Sequence, residues 1–177
     1  MPLRDVRFRS VFRALAGGVI VASTLLALPQ ASLAADMADI RKLIAQDQMF
    51  DAFRELMPLA QSGNADAQYE LAGFYHWGTV GPANFAKARQ WYERSAKQGN
   101  VDAMIGLAIM NGYGQGGPVD RREAVKWLII ASTQQALPAN EAETISRKRD
   151  QLAEGLSPRD METILAESRG FVAKPEN

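Results

Sequence analysis

Ser62-Gly63-Asn64-Ala65-Asp66-Ala67 is echoed 36 residues later by Gln98-Gly99-Asn100-Val101-Asp102-Ala103. The same offset lays Ala88-Arg89-Gln90-Trp91 over Ala124-Val125-Lys126-Trp127. It also carries Leu71 and Ala72 onto Leu107 and Ala108, Gly78 onto Gly114, Gly81-Pro82 onto Gly117-Pro118, and Asn84 onto Asp120, with no gap. A fixed period of this length, with helical patterning inside each copy, marks stacked helix pairs that bury a continuous core only by packing on their neighbours. The fold class that follows is all-α: a short α/α solenoid with capping helices at both ends. Such arrays usually bind other molecules.

The hinge between copies is punctuated chemically. Gly63 suits a helix C′ position, where φ is positive. Asn64 then suits the N-cap of the next helix, its side-chain oxygen accepting a free backbone N–H. Asp66 falls in the first turn, where a carboxylate favours the helix dipole. Apolar spacing predicts helices over 36–46, 49–61, 65–76, 84–97, 101–110, 120–133 and 138–154, with a last one opened by Ser157-Pro158-Arg159-Asp160. Pro58 lies inside the second of these and is expected to kink or shorten it, because it lacks an N–H and clashes with the preceding turn. Small residues recur where paired helices must approach, at Ala67, Ala72, Ala88 and Ala96, then at Ala103, Ala108 and Ala124. Large ones recur where the core needs filling, at Leu71, Tyr75, Trp91 and Tyr92, then at Leu107, Trp127 and Leu128.

The first 34 residues are of a different kind. Arg4, Arg7, Arg9 and Arg13 precede an uncharged apolar run from Ala14 to Leu28, and Ser32-Leu33-Ala34 offers small residues at a cleavage site. Basic, apolar and small in that order is a secretory signal peptide. At 15 residues the apolar run is short of the roughly 20 that a membrane span requires. The expected mature chain starts at Ala35, lies in the periplasm or outside the cell, and has no stable membrane span. The organisation read from the chain is a signal peptide (1–34), an N-terminal helix pair (35–63), two repeat units (64–99 and 100–137), C-terminal capping helices (138–173) and a disordered tail (174–177).

Composition narrows the chemistry. With 20 basic and 20 acidic residues overall, and four of the basic ones in the leader against Asp5 alone, the remainder is mildly acidic. That argues against a phosphate-backbone binder, so no nucleic-acid partner is expected. There is no cysteine and only one histidine, His76, so neither a thiolate nor a His-rich metal site is available. No metal or other cofactor is expected.

The phased set Ala67, Leu71, Ala72, Tyr75, Gly78, Ala88, Trp91, Ser95, Ala96 and Gly99 resembles the Sel-like repeat (SLR), a tetratricopeptide-like α/α repeat. The second copy matches at Ala103, Leu107, Ala108, Gly114, Ala124, Trp127 and Ala131. It departs at Asn111, where the pattern has Tyr, and at Gln135, where it has the closing Gly, as if the regular array ends there. The resemblance spans about residues 50–138 and implies a non-enzymatic protein–protein interaction module, an adaptor or scaffold in the bacterial cell envelope. Its alternative implication is a binder of an envelope polymer or small ligand; a hydrolase finds no catalytic set.

In tetratricopeptide-like arrays the first helix of each pair lines the concave side. Carried over, that geometry places Asp66, Tyr69, Gly73 and His76, then Asp102, Ile105, Ile109 and Gly112, on the groove. Tyr69, Ile105 and Ile109 make an apolar strip there, of the kind that hot spots use, unless the C-terminal helices fold back over it. Trp77 and Tyr113, on the turns, are secondary candidates. The expected partner-binding set is therefore Tyr69, Gly73, His76, Trp77, Ile105, Ile109 and Tyr113. Other readings are weaker. Gly112 to Gly117 lacks the Lys-Ser/Thr of a phosphate loop and no strand precedes it. His76 near Asp66 and Glu70 has no nucleophile to serve. Trp91 and Trp127 share a repeat phase and read as core, and Arg121-Arg122 and Arg147-Lys148-Arg149 as solvated faces.

Overall fold

The computed structural model describes residues 36–134 and 137–176. Among these, all regular structure is helical: α1 (Met37–Ala45), α2 (Met49–Gln61), α3 (Ala65–Trp77), α4 (Phe85–Lys97), α5 (Val101–Tyr113), α6 (Arg121–Gln134), α7 (Ala139–Ala153) and α8 (Pro158–Arg169). The leader expected over 1–34 lies outside the described residues. No described helix is long and apolar enough to cross a membrane.

The doubled sequence produces doubled local structure. Asn64 Oδ1 accepts the amide of Ala67 at 2.8 Å, and Asn100 Oδ1 that of Ala103 at 2.9 Å. Gly78 and Gly114 close α3 and α5 in the left-handed region, at φ of 66° and 69°. One turn later the amide of Asn84 donates to the carbonyl of Tyr75 (2.7 Å) and that of Asp120 to the carbonyl of Asn111 (2.8 Å). Each cap satisfies a backbone group that the helix end leaves unpaired, so both loops set the same antiparallel return.

Helices α3 and α4 form one pair and α5 and α6 the next, with α1 and α2 stacked before them. The small residues do what their phase implies. Ala67, Ala72, Ala88, Ala96, Ala103, Ala108, Ala124 and Ala131 are all fully buried, letting helix axes approach to roughly 8–10 Å. One core cluster centres on Ile40, Leu56 and Leu71, the other on Met104, Leu107, Trp127 and Leu128. Tyr75 and Trp91 pack against both and bridge them. Each buried leucine contributes about 1.5–3 kcal/mol relative to exposure. Trp127 is buried, whereas Trp91 keeps one face under the Arg94 guanidinium, 4.6 Å from the ring.

Three local expectations need correction. Of the two outcomes expected at Pro58, shortening does not occur: helix α2 runs through it to Gln61, with Pro58 itself exposed. Helix α5 continues past Met110 to Tyr113, so Asn111 and Gly112 are helical rather than loop. The tail also differs. Residues 174–177 are expected to fray, yet Lys174 donates its amide to the carbonyl of Lys97 at 2.9 Å and Glu176 meets Arg94, Gln68 and Gln98. Asn177 lies outside the described residues.

At the C-terminal end the pairing rule stops. Helix α7 packs on α6 in the place of a next first helix, but α8 packs against α6 rather than beside α7. Ser157 and Asp160 cap α8 reciprocally, and Asp160 also pairs with Arg122 of α6.

Candidate interaction groove

Tyr69, Gly73 and Trp77 lie on successive turns of α3 and line one hollow of about 220 Å³, with Ile44, Met49, Glu70 and Tyr92 completing its walls. The ring of Tyr92 comes across from α4, its centroid 5.9 Å from that of Tyr69. It can lie there because the facing residue of α5 is Gly106. A Cβ at that position would stand 2.9 Å from the Tyr92 ring. Tyr92, which its repeat phase places in the core, therefore also floors the hollow. The signal was present, since Tyr92 and Gly106 each differ from their repeat counterparts, Leu128 and Glu70.

The hollow is apolar at its centre and acidic at its edge. Burial pushes the Glu70 carboxyl above its ordinary range; Arg41 opposes this, and Asp66 and Asp102 add to it. Burial likewise raises the hydroxyls of Tyr69, helped by Asp102 and Glu70, and of Tyr92, helped by Tyr69 and Glu70. Asp66 itself is engaged, accepting from Asn100 at 3.0 Å and from Arg41 at 3.4 Å.

His76 is not a groove residue. It continues the stripe of Tyr69 and Gly73, but it is only 8 % exposed because the ring of Trp77 closes flat over it. Its ring stacks flat on Trp77, with centroids 4.6 Å apart and an interplanar angle of 3°, and takes the edges of Phe85 and Tyr92. Burial lowers the imidazole's pKa, with the Gln115 carboxamide pulling the other way. Trp77, the last residue of α3 rather than part of a turn, is 77 % exposed, its indole backed by the buried imidazole.

The second half of the strip is covered. Ile105 and Ile109 line a separate hollow of about 250 Å³ whose far wall is α7, through Asn140, Thr144, Ile145 and Lys148. Gly112 is buried under Leu152, to which an added Cβ would come within 2.7 Å. Of the two C-terminal helices, α7 folds over the strip and α8 does not. Tyr113 ends α5, half exposed, with Lys148 Nζ 3.2 Å from its hydroxyl. The structure thus unites Tyr69, Gly73 and Trp77, and it sets Ile105, Ile109 and Tyr113 apart from them. Among the described residues no group of three His, Asp or Glu stands close enough to hold a metal ion.

Tandem helix pairs, each opened by an Asn cap and with a left-handed glycine ending its first helix, define an α/α solenoid. Residues 65–100 and 101–135 each match the family model of the Sel1 repeat, so that stretch carries two tandem copies of it. The fold is similar to that of a protective antigen of uropathogenic Escherichia coli strains that displays an SLR fold, at a TM-score of 0.67 and 20 % identity, over 78 % of this chain. The chain spans only 29 % of that antigen's length. A Sel1 repeat protein from Oxalobacter formigenes aligns over 68 % of this chain and 64 % of its own, at 17 % identity and a TM-score of 0.46. No curated protein matches the sequence. Sel1 repeats generally mediate protein–protein interactions, and their fold is typically non-catalytic.

Proposed function

We propose that this protein is an exported interaction module of the bacterial cell envelope, a non-enzymatic adaptor that holds a partner protein in the hollow of Tyr69, Gly73 and Trp77. The observation that carries the reading is Trp77. Its indole is largely exposed, yet it is held in one orientation by the flat stack on buried His76 at the rim of an aromatic hollow. Trp and Tyr in such settings dominate binding energy, because they offer large rigid area at small entropic cost. Glu70, desolvated and near other carboxylates, calls for a counter-charge, since an unpaired carboxylate is costly to bury. The partner segment that fits carries an apolar anchor followed by a basic residue. Export rests on the basic, apolar and small order of residues 1–34.

Pull-down from periplasmic extract with the wild-type chain and with Trp77→Ala tests the site. The variant should keep its stability within about 0.5 kcal/mol, as exposed substitutions do, and lose a stoichiometric protein partner. Equal capture by both chains, or cell-wall material in place of a protein, overturns the reading. Terminal sequencing of the exported form should begin at Ala35; a start at Met1 would refute cleavage.

A further inference from the structure

The C-terminal segment after α8 crosses the hinges of the array in extended form. Ala173 lies against Gly99, where an added Cβ would meet its side chain at 3.0 Å, and Glu176 lies against Gly63, where a Cβ would stand 2.8 Å from its carbonyl oxygen. Gly63 and Gly99 are equivalent positions of successive units. Three extended residues cover about 10 Å, which is one helix-packing step, so the segment advances one tripeptide per repeat. Its end is read by a built site. Gln68 is fully buried, and its amide nitrogen serves both the carbonyl of Ala60 (3.1 Å) and Glu176 Oε2 (2.8 Å). Gln68 Oε1 accepts from Gln98, whose own Oε1 accepts the Glu176 amide at 3.1 Å. Arg94 Nε reaches both Glu176 carboxylate oxygens, at 3.0 and 3.1 Å, with its guanidinium already placed over Trp91. None of the equivalent residues in the second unit (Met104, Ile130 and Gln134) repeats this set, except for an amide at the last.

We infer that the hinge row of Gly63 and Gly99, with Gln68, Arg94 and Gln98, is a cleft for an extended peptide carrying a small residue and, three positions later, a glutamate. Residues 171–176 fill it in cis as a tethered copy of that ligand. Charge-assisted and bidentate bonds supply the affinity for the carboxylate, Gly63 admits the backbone of the glutamate where a Cβ would meet its carbonyl oxygen, and Gly99 leaves room for the small side chain three positions earlier. This cleft is independent of the Trp77 hollow and uses none of its residues. A foreign segment of the same chemistry competes with the tail.

The test uses the full chain and a labelled, C-terminally amidated peptide Gly-Phe-Val-Ala-Lys-Pro-Glu. A tethered tail competes at about millimolar effective concentration, so a cleft of roughly 100 µM intrinsic Kd is masked about tenfold in the wild type. Glu176→Arg, which sets like charges against Arg94, should release the tail and bind the peptide about tenfold more tightly than wild type by fluorescence anisotropy. Glu176→Gln should do so to a smaller degree. Adding Arg94→Ala to either should abolish binding. Hydrogen exchange at the Lys174 amide reports release directly. The inference fails if the tail stays protected in both Glu176 variants, or if it is released and the peptide still does not bind.

Discussion

Two helix-interior glycines, Gly73 and Gly106, should respond in opposite directions to the same substitution. In isolation, Gly→Ala in a helix stabilises by about 0.8–1 kcal/mol, because alanine loses less backbone entropy on folding. At Gly73 the new methyl meets nothing closer than the Tyr92 hydroxyl, 3.9 Å away, an ordinary contact. The full gain should appear, and Tm should rise by about 3 °C per kcal/mol for a domain of this size. At Gly106 the methyl would stand 2.9 Å from Tyr92 Cε1 and 3.1 Å from both Cδ1 and Cζ. Three close contacts with one ring face cannot be relieved by a small rotation, and overpacking costs about 1–3 kcal/mol. Set against the helix gain, Gly106→Ala should lose about 0–2 kcal/mol, leaving the two variants about 1–3 kcal/mol apart. Urea or thermal unfolding followed by circular dichroism measures the gap. Replacing Tyr92 with leucine, the residue at the equivalent position of the second unit, should remove the penalty of Gly106→Ala, with a coupling of about 1–3 kcal/mol in a double-mutant cycle. If Gly106→Ala stabilises as much as Gly73→Ala, the Tyr92 ring does not sit on α5. The account of how the first unit docks on the second, and of the hollow's floor, then fails.

Two further outcomes follow from buried polar groups. Burial holds the folded His76 pKa below its ordinary 6.5, so the unfolded chain takes up its proton first on acidification. The stability this group contributes is therefore full above about pH 6.5 and declines as pH falls toward the folded pKa. Melting at pH 7.5 and 5.5 should show the decline in the wild type and a weaker one in His76→Phe, and a single imidazole resonance titrating at or above 6.5 would contradict it. Asn111 is buried with Oδ1 unpaired, so Asn111→Leu should raise stability by about 1–2 kcal/mol. A lowered Tm would show that the amide is satisfied.

The groove was legible in part. Tyr69 and Gly73 face outward together because they are four residues apart on one helix, which periodicity alone dictates. His76 breaks the pattern. It continues the same stripe, but Trp77 at the helix end closes over it, a contact between ring faces that spacing does not encode. Ile105 and Ile109 share the phase of Tyr69 and Gly73, yet α7 covers them, and nothing in their own repeat says so. The tail reads as polar and terminal, and only the pre-assembled Arg94, Gln68 and Gln98 give its glutamate a place.

What this sequence determines by itself is the repeating part. The 36-residue offset, the Gly63/Gly99 and Gly78/Gly114 turns and the Asn64/Asn100 caps are local chemistry, satisfied within a few residues, and they yield the same helix pair wherever they occur. What only the tertiary structure decides is where the unrepeated pieces dock: α7 over half of the concave strip, α8 against α6, and residues 171–176 across the hinges. Those choices depend on surfaces assembled from residues as much as 108 positions apart, such as Gln68 and Glu176, which exist only after the array has stacked.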